Sequence, residues 1–262
     1  MVTLFFFVGL ILGSFLNVVL ARIRTEETLM GRSYCRNCRK QIAWFDNIPV
    51  ISFLVLRGKC RTCRDSISPR YLLVEVGTGI LFALVGWIFF DALDPLSWSE
   101  TMLVLGVVTF ALIIALYDAK YYEIPMTVMW IMIAYIIIFT MFLDYLSFSS
   151  FRSFWDLGLY QGMIAGLLAF TFFYLLSVIS HERWMGYGDA YVAFAIGLLL
   201  GGDTYGALVL AFVLGSIYGL IHIAFGKKNL SSQVPFAPFL LAGMLIMLFL
   251  GEIIGLLFVL PW

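Results

Sequence analysis

Two aspartates stand at the edges of apolar runs, where a carboxyl is costly to place. Asp118 closes the run Val104–Tyr117 and is followed by Ile124-Pro125. Asp189 opens a run that reaches Leu200 and is preceded by Gly186-Tyr187-Gly188. Ionisable groups at bilayer depth are functional candidates by default. Two carboxyls that share one proton do the chemistry of an aspartic protease, because like charges ~3 Å apart cannot both ionise. One then takes a proton from water while the other donates to the scissile carbonyl. Gly186 and Gly188 would let a peptide backbone approach Asp189, and Pro125 would start the next helix just past Asp118. Each aspartate alone has a simpler reading: Asp118 as a helix-end carboxylate at headgroup level, Asp189 as a helix N-cap.

The second cluster is Cys35-x-x-Cys38 with Cys60-x-x-Cys63. Paired knuckles at this separation have the spacing of a four-cysteine zinc site. Two disulfides or a redox pair are the alternative, which a reducing cytoplasmic location disfavours. Four sulfur ligands leave no open position, so the expected role of zinc is structural. A loop confined to residues 22–70 also has little core to fold without a staple. His181 and His222 are isolated from other ligand types, and Glu252 reads as a neutral carboxyl hydrogen-bonded within a bundle.

What must position these residues is a membrane. The chain is 63% apolar and 12% charged, with mean hydropathy +1.01, against about 25% charged in soluble domains. Its apolar blocks have helical span length, so the fold class is an all-α, polytopic membrane bundle of about eight transmembrane spans. The segments are Thr3–Ala21, Tyr71–Phe90, Met102–Tyr117, Met126–Leu143, Gly158–Ser180, Gly188–Leu200, Tyr205–Phe225 and Phe239–Leu260. Residues 1–262 form a single polytopic domain with the loop 22–70 inserted between spans one and two.

Of the 16 Lys and Arg, eleven lie between Arg22 and Arg70. Lys120, Arg183, Lys227 and Lys228 fall in alternate later loops, and only Arg152 lies opposite. The positive-inside rule makes those loops cytoplasmic and both termini external. The short sixth segment then crosses, since otherwise Lys227 and Lys228 would lie outside. The first span lacks a basic start and reads as an anchor, not a cleaved signal peptide. Gly9, Gly13 and Asn17 share one face of it and suit close helix packing, with a polar groove lining as the alternative. Gly158, Gly162 and Gly166, and then Gly215 and Gly219, read as packing. The basic excess of the cysteine loop reads as a face held against anionic lipid headgroups. Its centre, Trp44–Ser52, either lies at the membrane interface or packs on the knuckles.

On these motifs the chain resembles the type IV prepilin peptidases, membrane aspartyl proteases with a Gly-x-Gly-Asp motif. Asp118 with Ile124-Pro125 matches the first catalytic motif, and Gly186-Tyr187-Gly188-Asp189 the second. The first span from Gly9 to Val18, with Gly13-Ser14-Phe15-Leu16-Asn17-Val18, is similar to the N-terminal signature. Asp46-Asn47-Ile48-Pro49-Val50 and Ser68–Glu75 resemble the cytoplasmic loop, and Pro235–Leu240 the C-terminal signature. Departures are Arg39 and Arg64, where the family usually has glycine after each knuckle, Met126 after the Ile-Pro, and Ala237 at a common glycine.

The resemblance implies cleavage of a short basic leader from type IV prepilins or pseudopilins at the bacterial cytoplasmic membrane, after glycine and before an apolar residue. It also implies N-methylation of the new terminus with S-adenosylmethionine, although no strand–Gly-rich loop–helix pattern is present. The expected partners are these precursors and the lipid bilayer, with no nucleic acid. A protease of other membrane substrates is the rival enzyme, and a proton- or cation-coupled transporter the rival class. Both aspartates at one edge and the lack of a repeat weigh against the transporter.

Overall fold

The computed structural model describes residues 1–25, 27–28, 31–147, 157–225 and 234–258, with backbone alone for residue 25 and residues 252–258. Arg152, Lys227, Lys228 and the Glu252 side chain, which entered the sequence reading above, lie outside the described residues. Each of the eight apolar segments is a helix: α1 (Val2–Thr25), α3 (Pro69–Ile88), α4 (Pro95–Tyr121), α5 (Met126–Leu146), α6 (Gly158–Ser180), α7 (Tyr187–Leu200), α8 (Thr204–Ala224) and α9 (Ala237–Phe258). A short α2 (Ile51–Val55) and a 3-10 turn at Trp44–Asn47 lie between α1 and α3. Among the described residues six stretches have the length and composition to cross a membrane, α1, α3, α4, α5 and α6 being five of them. The sixth, Tyr187–Ala224, joins α7 to α8 through a 3-10 turn at Gly201–Asp203. The chain divides into two compact units, Met1–Asp91 and Ala92–Trp262.

In the first unit α1 and α3 approach through glycine. A Cβ on Gly9 would lie 2.7 Å from the Thr78 carbonyl oxygen, and one on Gly13 2.7 Å from Glu75 Cα. Asn17 Nδ2 donates to the Tyr71 carbonyl at 3.2 Å, so the face Gly9-Gly13-Asn17 is a helix contact. Ser68 and Pro69 start α3, the Ser68 Oγ accepting the Arg70 N–H at 3.4 Å.

Between them, Val50 has φ 62° and ψ −53°, and the Ile51 N–H donates to the Pro49 carbonyl at 2.6 Å. That is the positive-φ γ-turn, strained for any β-branched residue. The buried Glu75 carboxylate of α3 holds it, accepting the Val50 N–H at 2.7 Å. Asp46 is held in turn by Arg61, with Nε and Nη2 donating at 2.8 and 2.6 Å. Those bonds keep the Asp46 carboxyl below the usual carboxylate range.

In the second unit α4 begins at Pro95, not Met102, because the Asp94 carboxyl accepts the Leu96 N–H at 3.0 Å and caps it. It ends where Tyr122 turns left-handed (φ 59°) and donates its N–H to the Asp118 carbonyl at 2.8 Å. Gly162 and Gly166 of α6 pack on the Leu198 and Phe194 carbonyls of α7. In α8 the outcome is mixed: Gly215 packs against the Phe236 and Phe239 rings, whereas Gly219 faces open space, and Gly243 of α9 packs on the Ala207 carbonyl. Spacing locates small residues but not the partner helix. Phe173, Met129, Met132, Ile136, Ile196 and Leu240 form a fully buried core.

Candidate functional site

Asp118 lies in the last turn of α4 and Asp189 in the first turn of α7. Both are buried, 5% and 7% exposed, and their carboxyls lie within electrostatic reach of each other. Asp189 is not the N-cap of α7. Gly186 takes that position, and Asp189, the third helical residue, directs its carboxyl back at the Gly186 N–H, the return arm of a capping box. Asp118 faces the N-terminus of α9. There the Leu240 N–H closes on the Phe236 carbonyl at 3.1 Å, so the Ala237 N–H is an orphan donor of the first turn. That N–H is directed at the Asp118 carboxyl.

Asp118 Oδ2 has no hydrogen-bond partner among the described residues. A buried acceptor costs roughly 1–3 kcal/mol unless water or a ligand meets it, so this oxygen is open to a water or a reactant. The unpaired oxygen is where a reactant could be held.

The two motifs touch. A Cβ on Gly188 would lie 2.7 Å from Ile124 Cδ1 and 3.2 Å from Ile124 Cβ. Gly188 therefore admits Ile124, not an incoming peptide. Beside Gly186 the nearest atom to such a Cβ is the Asp189 Oδ2 at 3.9 Å, which leaves room there for a substrate backbone. Pro125 ends the connection, its carbonyl accepting the Met129 N–H at 3.0 Å in the first turn of α5.

In the first unit, the Cys35, Cys38, Cys60 and Cys63 sulfurs all lie within 4.8 Å of one another. Cys35 and Cys63 Sγ are 3.8 Å apart, the edge of a tetrahedron with metal–sulfur bonds of about 2.3 Å. The donor set and its geometry fit a metal. Each knuckle repeats one turn: Arg39 and Arg64 N–H groups donate to the Cys35 and Cys60 carbonyls at 2.8 and 3.0 Å, with φ 55° and 61°. Backbone N–H groups of Cys63 and Thr62 bring the Cys60 thiol down to about 6. Cys63 goes up to about 12: the Asp65 N–H lowers it, but desolvation and the three neighbouring thiols outweigh that.

Sequence reasoning brought the aspartates and cysteines into view, met Ala237 and Glu75 only as members of motifs without the partners they meet here, and missed Arg61. Pro238 marks a helix start, yet which acid that start meets is a tertiary fact.

The relatives of the chain run through both units. Residues 7–89 match the profile of the bacterial peptidase A24 N-terminal domain, and residues 105–260 that of the type IV leader peptidase family. A prepilin leader peptidase/N-methyltransferase of Klebsiella pneumoniae is 33% identical over 208 residues, covering 75% of this chain and 83% of that one. Its namesake in Bacillus subtilis is 30% identical over 254 residues, covering 96% and 95%. In Myxococcus xanthus the match is 32% over 224 residues, 83% of this chain but 62% of the relative's length. No solved structure matches. The longer profile takes in both buried aspartates, the Ile124–Gly188 contact and the start of α9, and on that match the chain belongs to the type IV leader peptidase family.

Proposed function

We propose that the chain is a membrane aspartyl endopeptidase that removes the basic leader of type IV prepilins or pseudopilins at the cytoplasmic face of the bacterial inner membrane. The observation that carries this reading is the pair of buried carboxyls, Asp118 and Asp189, on two helix ends joined by the Ile124–Gly188 contact. In the reaction one carboxylate takes a proton from water, and the hydroxyl oxygen bonds to the scissile carbonyl carbon. The other carboxyl donates its proton to the carbonyl oxygen. Collapse of the resulting diol breaks the C–N bond, and the proton taken from water goes to the leaving amine.

Cys35, Cys38, Cys60 and Cys63 hold one zinc as a structural staple in this reading. When bound, it supplies local folding energy and no open coordination position. N-methylation of the new terminus, with S-adenosylmethionine as donor, rests on the relatives' name and the resemblance alone. Catalysis by Asp118 and Asp189, with Gly186, Gly188 and Pro125 in support, is tested by mass measurement of both products of a prepilin-type peptide. Asp118→Asn and Asp189→Asn are each expected to abolish cleavage while melting like the native protein, since an amide is neither base nor acid here. Cleavage retained in either variant would rule out the aspartyl mechanism, and a product without added methyl would leave the peptidase standing alone.

A further inference from the structure

The 3-10 turn Trp44–Asn47 and α2 bury none of their residues. Ile51, Leu54 and Val55 stand three and four positions apart, one stripe of a helix, and that stripe is turned outward, with Leu54 62% and Val55 69% exposed. Beside it, Trp44 is 76% exposed. The opposite side of α2 faces the loop: Phe53 is half-buried over Gly58. Ser52 ties the two elements together, its Oγ donating to the Phe45 carbonyl at 3.1 Å and its N–H to the Ile48 carbonyl at 3.1 Å. A contiguous apolar surface held in place this way marks an interaction site.

Two features of the same unit say what covers it. The segment leaves α1 and enters α3, both long and apolar enough to span, so it is tethered at a bilayer surface. The same cysteine loop exposes cations on both sides of the stripe in sequence, Arg36 and Lys40 before it and Arg57, Lys59 and Arg64 after it, and Arg61 lies over the Phe45 ring at 5.3 Å. Apolar side chains rimmed by Lys and Arg bind the headgroup–acyl boundary of an anionic leaflet. We propose that Trp44, Ile51, Leu54 and Val55 insert into the anionic lipid surface beside α1 and α3 and fix the cysteine loop flat on the membrane.

The full chain in nanodiscs of phosphatidylglycerol and phosphatidylcholine, brominated near the headgroup, tests this by tryptophan emission. The expected result is that Trp44→Phe removes a component quenched by bromolipid and untouched by aqueous iodide. That component should become iodide-sensitive in discs without phosphatidylglycerol. Leu54→Asp combined with Val55→Asp, with helical circular dichroism kept, is expected to lose most of the Trp44 lipid quenching. A Trp44 component quenched by iodide and not by bromolipid overturns the proposal. So does one shielded from both quenchers, or one that changes only when a prepilin-type peptide is added, which would make the stripe a protein-docking surface. Full lipid quenching in the double variant overturns it as well.

Discussion

At the scale of single residues, the two glycines before Asp189 have different work. Gly188 is filled by Ile124, and Gly186 opens onto free space. Gly188→Ala is expected to cost about 1–3 kcal/mol by overpacking and to lower cleavage, because Ile124 must shift and the connection to Asp118 moves with it. Gly186→Ala should melt within about 0.5 kcal/mol of the native protein yet raise KM for a prepilin peptide several-fold with a smaller change in kcat. Thermal melts and steady-state kinetics separate the two, and an unchanged KM in Gly186→Ala would remove the substrate from that space. The identity of these residues was legible in the sequence because acids and glycines are conspicuous in apolar runs. Their contacts were not: Asp189 reads as an N-cap until Gly186 is seen to occupy that position, and nothing local tells that α9 starts against Asp118.

At the scale of elements, the knuckles were legible because two thiols per turn need a fixed spacing, and the turn itself shows what that spacing demands. Arg39 and Arg64 sit in the left-handed region, which costs a side-chain-bearing residue roughly 1–2 kcal/mol. Glycine avoids that cost but gives back about 0.5–1 kcal/mol in unfolded-chain entropy. Arg39→Gly and Arg64→Gly are thus each expected to stabilise the loop slightly, by about 0.5 kcal/mol, read as a higher chelator concentration needed to strip the metal. Easier stripping in both variants would show that the arginine side chains hold the knuckles in another way.

The same loop links metal to pH. Backbone N–H groups pull the Cys60 thiol down while desolvation and neighbouring thiols push Cys63 up, so the crowded thiols of the metal-free loop do not all ionise together. Zinc uptake must therefore displace at least one thiol proton from the cluster, and affinity falls as pH falls. Calorimetry in two buffers of different ionisation heat should report that release, and uptake without protons would contradict it. What the sequence did not disclose in this loop is the γ-turn at Val50, since a β-branched residue is a poor local signal for positive φ. The Glu75 carboxylate, distant in sequence, accepts the Val50 N–H and helps hold it.

At the scale of the whole chain, apolar length marked the eight long apolar helices but not α2, and helix ends depend on caps and on the bilayer. α7 is the critical case. Its 14 residues rise about 21 Å at 1.5 Å each, short of a hydrocarbon core of about 30 Å. If it crosses as the basic-residue asymmetry requires, the membrane must thin there or water must reach the turn Gly201–Asp203. The exposed Gly202 and Asp203 suit the second course. On the same charge asymmetry the end of α4 and the start of α7, and with them Asp118 and Asp189, are expected at the cytoplasmic edge whether or not α7 crosses, where a leader that has not been translocated can reach them. A cysteine at Asp203 is then expected to react with an impermeant maleimide in spheroplasts, where the inner membrane is intact, and one at Glu182 only after permeabilisation. The reverse pattern at Asp203 would make α7 re-entrant. The route of substrate entry would have to be rebuilt, even with both aspartates still required for cleavage.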